Sequence, residues 1–378
     1  MAAGLAFKQP PRRIQEIRVK RWAVAASLLT VMPLVACSTD GSKTPMSGRA
    51  VRPTTGQSQL TGAGATFPYP IYSKWFADYA GRTGVEINYQ SIGSGGGIRQ
   101  LSEGTVDFGA SDAPMSDAEL ATAKGGAILH FPTVLGAVVV TYNLPNATRP
   151  LRLTSAVLSD IFAGRVARWN APALTSLNPG LQLPALDILV VHRTDGSGTT
   201  FIFTSYLAAT SPAWKAGPGA GKDVAWPIGL GGKGNEGVAG QVKQTPGAIG
   251  YVELAYAKQN KLAYAAIQNA SGAFVEPSIA SVTAAAAGVA DTLSATSDYR
   301  LSLVNAGGKD AYPISSMTWL LVYKNQRDAT KRKQLTDFLR WSYETGYQSA
   351  ASLDYAPLPD KLRRRLIDRI GTIGGGGA

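Results

Sequence analysis

Short runs of branched and aromatic residues alternate along the body of the chain with segments in which apolar residues return every three to four positions. The runs Val85 to Tyr89, Ala137 to Tyr142, Ile188 to Val191, Ala248 to Val252 and Met317 to Tyr323 have the length and composition of strands. Ile71, Tyr72, Trp75, Phe76 and Tyr79 recur at i, i+1, i+4, i+5 and i+8, which is one apolar face of a helix, and its aromatics are expected to be core. Leu335, Phe338, Leu339 and Ser342 trace a second stripe of this kind, and the alanine-rich segment Ile279 to Leu293 predicts a further helix. Strands alternating with amphipathic helices indicate an α/β fold. At 378 residues and 45% apolar content the chain can bury a large core, organised as two domains or one large α/β unit.

The N-terminal pattern is different. Lys8, Arg12, Arg13, Arg18, Lys20 and Arg21 lead into the apolar run Trp22 to Ala36, which is too short to span a bilayer comfortably and has the form of an export leader. Leu34-Val35-Ala36-Cys37 resembles a bacterial lipobox, so residues 1–36 are expected to be a signal peptide cut before Cys37, with the lipid placed on that cysteine. Residues 37–58, rich in Ser, Thr, Gly and Pro, read as a flexible tether, and the globular part starts near Gln59. No apolar stretch of spanning length follows. The protein is therefore expected to be exported, periplasmic or at the cell surface, and held to a membrane through lipid alone.

Cys37 is the single cysteine, which excludes disulfides and cysteine-based metal sites. The formal charge is +12, but the leader carries six Lys or Arg against Glu16, leaving the rest near +7. A moderately basic domain suits a small anion, an acidic surface or nucleic acid. No basic stripe with interleaved aromatics is present, and the densest cluster, Arg363 to Arg365, reads as a solvated helix face. Nucleic acid is disfavoured on that ground.

Three loops of small residues feed directly into helical patterns. In Leu60 to Pro70, LTGAGATFPYP, Pro68 suits a first helical turn and puts Thr66 and Phe67 at the helix mouth. In Val85 to Gln100, VEINYQSIGSGGGIRQ, a strand runs into Ser94 and three glycines before a helix expected from Ile98. In Asp187 to Leu207, DILVVHRTDGSGTTFIFTSYL, the helix is expected from about Thr199. A helix N-terminus offers unpaired N–H groups and partial positive charge, and glycine lets the backbone approach an anion closely. Any one of these loops could be a tight turn with a Ser or Thr cap. Three together, one with Arg193 four residues before Ser197, suggest a site for a small oxyanion.

The strings GAGATFP, SIGSGGGIRQ, VDFGASDAPMSD (Val106 to Asp117), RTDGSGTTF, WPIGLGGKGNEGV (Trp226 to Val238) and PGAIGYVELAYA (Pro246 to Ala257) resemble those of PstS-type phosphate-binding proteins. The resemblance runs from about Leu60 to LDYAPLP at Leu353 to Pro359. It implies a type II periplasmic-binding-protein fold: two α/β lobes, two crossover hinge strands and an anion in the cleft. Lobe I would comprise residues 59–138 and 316–378, and lobe II residues 139–315, with crossings near Val138 to Tyr142 and Tyr312 to Ser316. Carried over by motif, phosphate would be held by Thr66, Phe67, Ser94 and Asp112 from the first lobe. Arg193, Ser197, Gly198 and Thr199 would hold it from the second, with Asp195 orienting the arginine. The resemblance further implies a monomer that needs no cofactor or metal. Its partners would be inorganic phosphate and the transmembrane permease of an ABC importer with its cytoplasmic ATPase.

Asp112 by itself fits an ordinary turn or N-cap aspartate. In an anion site it makes sense when the ligand carries a proton, because a carboxylate accepts a hydrogen that phosphate has and sulfate at neutral pH lacks. Arsenate is protonated too and is not excluded. A phosphatase is the competing class, yet the chain has only His130 and His192, with no HExxH pair, G-x-S-x-G elbow or Walker lysine. His192, Asp195 and Ser197 lie too close in sequence to align as a relay. A structural or adhesive lipoprotein would leave the three anion-suited turns unexplained.

Overall fold

Eight strands form the main path of the sheet: β1 (Leu60–Gly64), β2 (Ile87–Ser91), β3 (Phe108–Ser111), β4 (Ile128–Tyr142), β5 (Leu189–Arg193), β6 (Leu230–Gly232), β7 (Ala248–Glu253) and β8 (Ser315–Tyr323). Their spatial order is β2-β1-β3-β8-β4-β7-β5-β6. β1 runs parallel to β2 and β3, and β5 runs parallel to β6 and β7, while β8 is antiparallel to both β3 and β4. The computed structural model describes residues 59–144, 147–287 and 296–374, so the expected leader, the Cys37 lipidation site and the tether lie outside the described residues.

The five expected strands are present, four of them with ends displaced by one or two residues. β4 is the exception: it begins at Ile128 rather than near Ala137. Pro132, Thr133 and Gly136 interrupt its apolar pattern. The ladder to β8 shifts between Thr318 and Trp319, opposite Pro132, so that Thr133 is skipped. A proline has no N–H to give a ladder and is tolerated at such a bulge. The long strand serves two partners, pairing with β8 up to Ala137 and with β7 from Val138 to Tyr142. It is the element common to both halves of the sheet.

Helices α1 (Tyr69–Thr83), α2 (Ser94–Glu103), α3 (Asp117–Ala121), α4 (Gly198–Thr210), α5 (Gly234–Gln244) and α6 (Ala329–Glu344) follow the strand ends. The stripe Ile71, Tyr72, Trp75, Phe76 and Tyr79 is wholly buried on α1, which stops at Gly84 in the left-handed conformation (φ 74°). It meets the buried stripe of α6, with the Phe338 ring 5.4 Å from Phe76 and 5.3 Å from Tyr79. Each ring buried here contributes about 2 kcal/mol or more. A second aromatic cluster joins Phe162, Phe203, Trp226 and Tyr251 under the other half of the sheet.

Glycine is required where α2 lies against β1. A Cβ on Gly64 (φ 148°) would sit 2.0 Å from the Ala110 carbonyl, and one on Gly97 would sit 2.4 Å from the Gly64 Cα. The bare backbones therefore touch, which draws the N-terminus of α2 down to the carboxyl ends of β1 and β3.

Two expectations change. The alanine-rich helix spans Ile279–Ala287, and the rest of its predicted length lies outside the described residues. Arg363 is not part of a solvated face: it lies 3.4 Å over the Tyr347 ring and donates to the Tyr343 carbonyl at 2.7 Å. Stacking of this kind suits a guanidinium, whose flat faces are weakly hydrated. No helix among the described residues is long and apolar enough to cross a membrane.

Candidate anion-binding site

The carboxyl ends of β1, β3 and β5 converge with the N-termini of α1, α2, α4 and α5 on one buried cleft. At its first wall, Thr66 follows β1, and Pro68 takes the cap position ahead of α1 rather than its first turn. α2 begins at Ser94, four residues earlier than expected, so the three glycines form its first helical turn. They do so because Gly93 supplies a positive φ of 87° and its carbonyl accepts from Gly97 N–H at 3.1 Å, starting the ladder. Asp112 follows β3. Its Oδ1 accepts from the Thr318 hydroxyl at 2.8 Å, and the Ser94 hydroxyl lies 3.5 Å from its Oδ2.

The second wall is the β5-to-α4 turn. Arg193 forks onto Asp195, with Nε to Oδ1 at 2.8 Å and an η-nitrogen to Oδ2 at 2.5 Å, and its other η-nitrogen donates to the Thr199 hydroxyl at 3.3 Å. Ser197 is the N-cap of α4: its Oγ accepts from Thr200 N–H at 3.0 Å, and its own N–H donates to the Lys222 carbonyl at 2.8 Å. Asp195 Oδ1 also accepts from Gly234 N–H at 3.0 Å, so the same carboxylate satisfies the N-terminus of α5.

The walls touch. Gly95 N–H donates to the Gly196 carbonyl at 2.8 Å, Gly198 N–H to Ser94 Oγ at 3.1 Å, and Lys222 pairs with Glu119 of α3 at 2.6 Å. A Cβ on Gly95 would stand 3.1 Å from the Gly196 Cα, which explains the glycine on each side of that approach. Asn235 Nδ2 reaches the hydroxyls of Thr66 at 2.7 Å and Thr199 at 3.1 Å, one from each wall.

Electrostatics divide the carboxylates. Burial raises the pKa of Asp112 to about 7, and the Thr318 hydrogen bond, the Arg193 charge and Ser94 offset only part of that. Burial would raise Asp195 too, but the bonds and charge of Arg193 outweigh it and hold that carboxyl below its ordinary value. Burial likewise pushes Glu253, the last residue of β7, well above the carboxylate range, with hydrogen bonds from Ala255 and Tyr355 offsetting part.

Two hydrogen-bonded groups result, Thr66 with Thr199, Arg193 and Asp195 through Asn235, and Ser94 with Asp112 and Gly198, and they meet at the adjacent residues Gly198 and Thr199. Phe67 enters differently: its ring is core, against Tyr355, and its carbonyl is taken by the Tyr355 hydroxyl at 2.7 Å. Sequence reasoning passed over Asn235, Thr318 and the Lys222–Glu119 pair. The signal for Asn235 was a fourth glycine-rich turn, Gly231 to Gly234, also opening a helix. His192, weighed as a relay member, stacks on Trp226 with ring centroids 4.9 Å apart, and its Nδ1 faces the Arg193 carbonyl at 3.0 Å. Among the described residues no His, Cys, Asp and Glu cluster could hold a metal ion.

Comparisons with known proteins agree on one family. The model of the PBP superfamily domain matches residues 50–345. Phosphate-binding protein PstS of Xylella fastidiosa (strain 9a5c) is 47% identical over 348 residues, covering 90% of this chain and 94% of that protein. The PstS protein of Pasteurella multocida (strain Pm70) is 47% identical over 314 residues, covering 83% and 90%. Among solved structures, a high-affinity periplasmic phosphate-binding protein bound with phosphate shares the fold, with a TM-score of 0.66 at 21% identity over 84% of this chain and 99% of that one.

Proposed function

The chain belongs to the PstS phosphate-binding proteins of the PBP superfamily, with their two-lobed α/β fold, and from that premise we propose that it is the extracytoplasmic receptor of a phosphate importer. One inorganic phosphate sits between the two walls and is handed to a membrane permease driven by a cytoplasmic ATPase. Thr66, the Phe67 backbone, Ser94 and Asp112 hold it from one side. Arg193, Ser197, Gly198 and Thr199 hold it from the other, with Asp195 keeping the guanidinium in place.

The observation that carries this reading is the pairing of donors with one acceptor. Hydroxyls, helix N-termini and a guanidinium suit an oxyanion. Asp112, buried in the same cleft, in its ionised form suits only an oxyanion that brings a hydrogen of its own. Against sulfate, ionised Asp112 would face a second buried acceptor, at a cost on the order of 3 kcal/mol; near pH 7 its raised pKa lets it take a proton instead, so the discrimination is full only above that pH.

Lobe I comprises residues 59–138 and 316–378 and lobe II residues 139–315, with β4 carrying the first crossing. Phosphate bridges the walls, so it favours the closed form by binding it more tightly than the open one. The permease reads that difference. The protein acts as a monomer, anchored by lipid at Cys37 beyond a flexible tether. It catalyses nothing: Ser197 caps α4 and His192 is stacked on Trp226, so the two do not form the nucleophile and base of a hydrolase.

Titration calorimetry tests the reading, using protein freed of carried-over anion by unfolding and refolding. Binding of one phosphate at roughly micromolar or better, with no response to sulfate at about pH 9 where Asp112 is ionised, is expected. A folded sample that ignores phosphate contradicts it, and so does equal compactness of the free and phosphate-loaded forms in solution scattering.

A further inference from the structure

Asn235 is fully buried at the second position of α5, where it faces three hydrogen-bonding groups at once. Its Oδ1 accepts from the Glu253 backbone N–H at 2.9 Å. Because a backbone N–H can only donate, that bond fixes which way the carboxamide points. Nδ2 is therefore the end that meets the threonines, and its two hydrogens go one to Thr66 Oγ1 at 2.7 Å and one to Thr199 Oγ1 at 3.1 Å.

A hydroxyl has two lone pairs and one hydrogen. Thr66 Oγ1 accepts a second time from the Asn235 backbone N–H at 3.3 Å, and Thr199 Oγ1 a second time from Arg193 at 3.3 Å. Both oxygens are then saturated as acceptors. Ser94 Oγ is served without Asn235, accepting from the N–H groups of Asp112 at 3.2 Å and Gly198 at 3.1 Å, the latter being the N–H proposed to turn to phosphate.

We propose that Asn235 is a positioning residue that sets the polarity of the anion site: by filling the lone pairs of Thr66 and Thr199 it leaves each hydroxyl able only to donate, which turns both into hydrogen-bond donors to the bound oxyanion. The inference rests on the phosphate-receptor reading and assigns Asn235 no direct contact with the ligand. It also explains why an amide stands there. A carboxylate would accept the two hydroxyl hydrogens and withdraw them from the anion. Because Thr66 and Thr199 come from opposite walls, the carboxamide completes both bonds only when the cleft is shut.

The test is a set of double-mutant cycles read as phosphate affinity by calorimetry on the full protein. Asn235→Leu removes the donors at similar volume, and Asn235→Ala serves in its place if thermal melting shows that the leucine variant does not fold. The loss expected from either is ~10-fold in the parent protein. In a Thr66→Ala, Thr199→Ala background the same change should cost under ~2-fold, because the hydroxyls it polarises are gone. In a Ser94→Ala background the full ~10-fold should return, since Ser94 takes its donors elsewhere. A merely structural role gives the same loss in all three backgrounds, and that result overturns the inference. So does phosphate affinity in the Asn235 variant within ~2-fold of the parent while the parent binds phosphate well. A parent protein that binds no phosphate overturns this inference and the receptor reading together.

Discussion

Asp112 and Asp195 stand on opposite walls of one cleft, and their surroundings drive them in opposite directions. Burial works against the ionised form of both. Asp195 receives the whole fork of Arg193 and the Gly234 N–H, and its pKa ends lowered. Asp112 receives a threonine hydroxyl and feels Arg193 through space, and its pKa ends near 7. Contact with the guanidinium, together with the lesser depth of Asp195, separates them. The consequence is a division of labour: Asp195 is a permanent anion that holds the cation in place, and Asp112 can share a proton with whatever enters.

The largest expected effect comes from removing the group that separates the two. Arg193→Met strips Asp195 of its partner and leaves a charge in a half-buried place. Denaturant unfolding should show a loss of about 3–5 kcal/mol, and calorimetry a fall in phosphate affinity of at least ~100-fold. Unchanged stability would mean that the fork contributes little and that depth governs both aspartates.

Stability against pH comes next, for the shut cleft in which Asp112 is buried. The folded state keeps the Asp112 proton up to about pH 7, while the unfolded chain releases it near its ordinary value of 3.8. Between those limits the folded state binds more protons, so stability falls as pH rises from about 4 to about 7 and levels off above. The fall amounts to about 4 kcal/mol at most. Asp112→Asn should abolish that component of the curve. Parallel curves for parent and variant would show that Asp112 titrates normally.

Asp195→Asn should act with the opposite sign. A lowered pKa contributes stability that is present above the unfolded value and lost as pH falls through the folded one. The variant should therefore be less stable than the parent at neutral pH and converge with it in acid, with phosphate weakened ~10-fold through a misaligned Arg193. The smallest effect belongs to the pair across the mouth of the cleft. Lys222 and Glu119 are partly exposed, so Lys222→Met should speed phosphate release only ~2- to 5-fold, with the difference shrinking in high salt.

The legible parts of this molecule were those with local causes. The α1 and α6 stripes follow from helical spacing alone, and the three anion-suited turns from glycine beside Ser or Thr ahead of an amphipathic run. What was not legible depends on partners far along the chain. The first nine residues of β4 read as broken because Pro132 and Gly136 violate strand preferences, and the bulge that admits the proline exists only against β8. Arg363 read as solvent-facing because its stacking partner, Tyr347, belongs to a different element. Asn235 lay in a string that resembled the family. Its bridging role, however, requires β6 beside β5 and α5 pointing into the cleft, which no local pattern conveys. The start of α2 at Ser94 was hidden because glycines are poor helix formers, and here contact with Gly196 and Gly64 overrides that preference.

The contrast between the two aspartates rests finally on Asp112 as the acceptor that recognises a protonated ligand. The direct test is calorimetric titration of the parent and Asp112→Asn proteins with phosphate and with sulfate at about pH 9, where Asp112 is ionised and phosphate still carries one hydrogen. The account predicts a parent that prefers phosphate by at least ~100-fold and a variant in which that preference collapses, because the amide can donate to sulfate where the carboxylate repels it. A variant that still prefers phosphate by the parent's margin would contradict it.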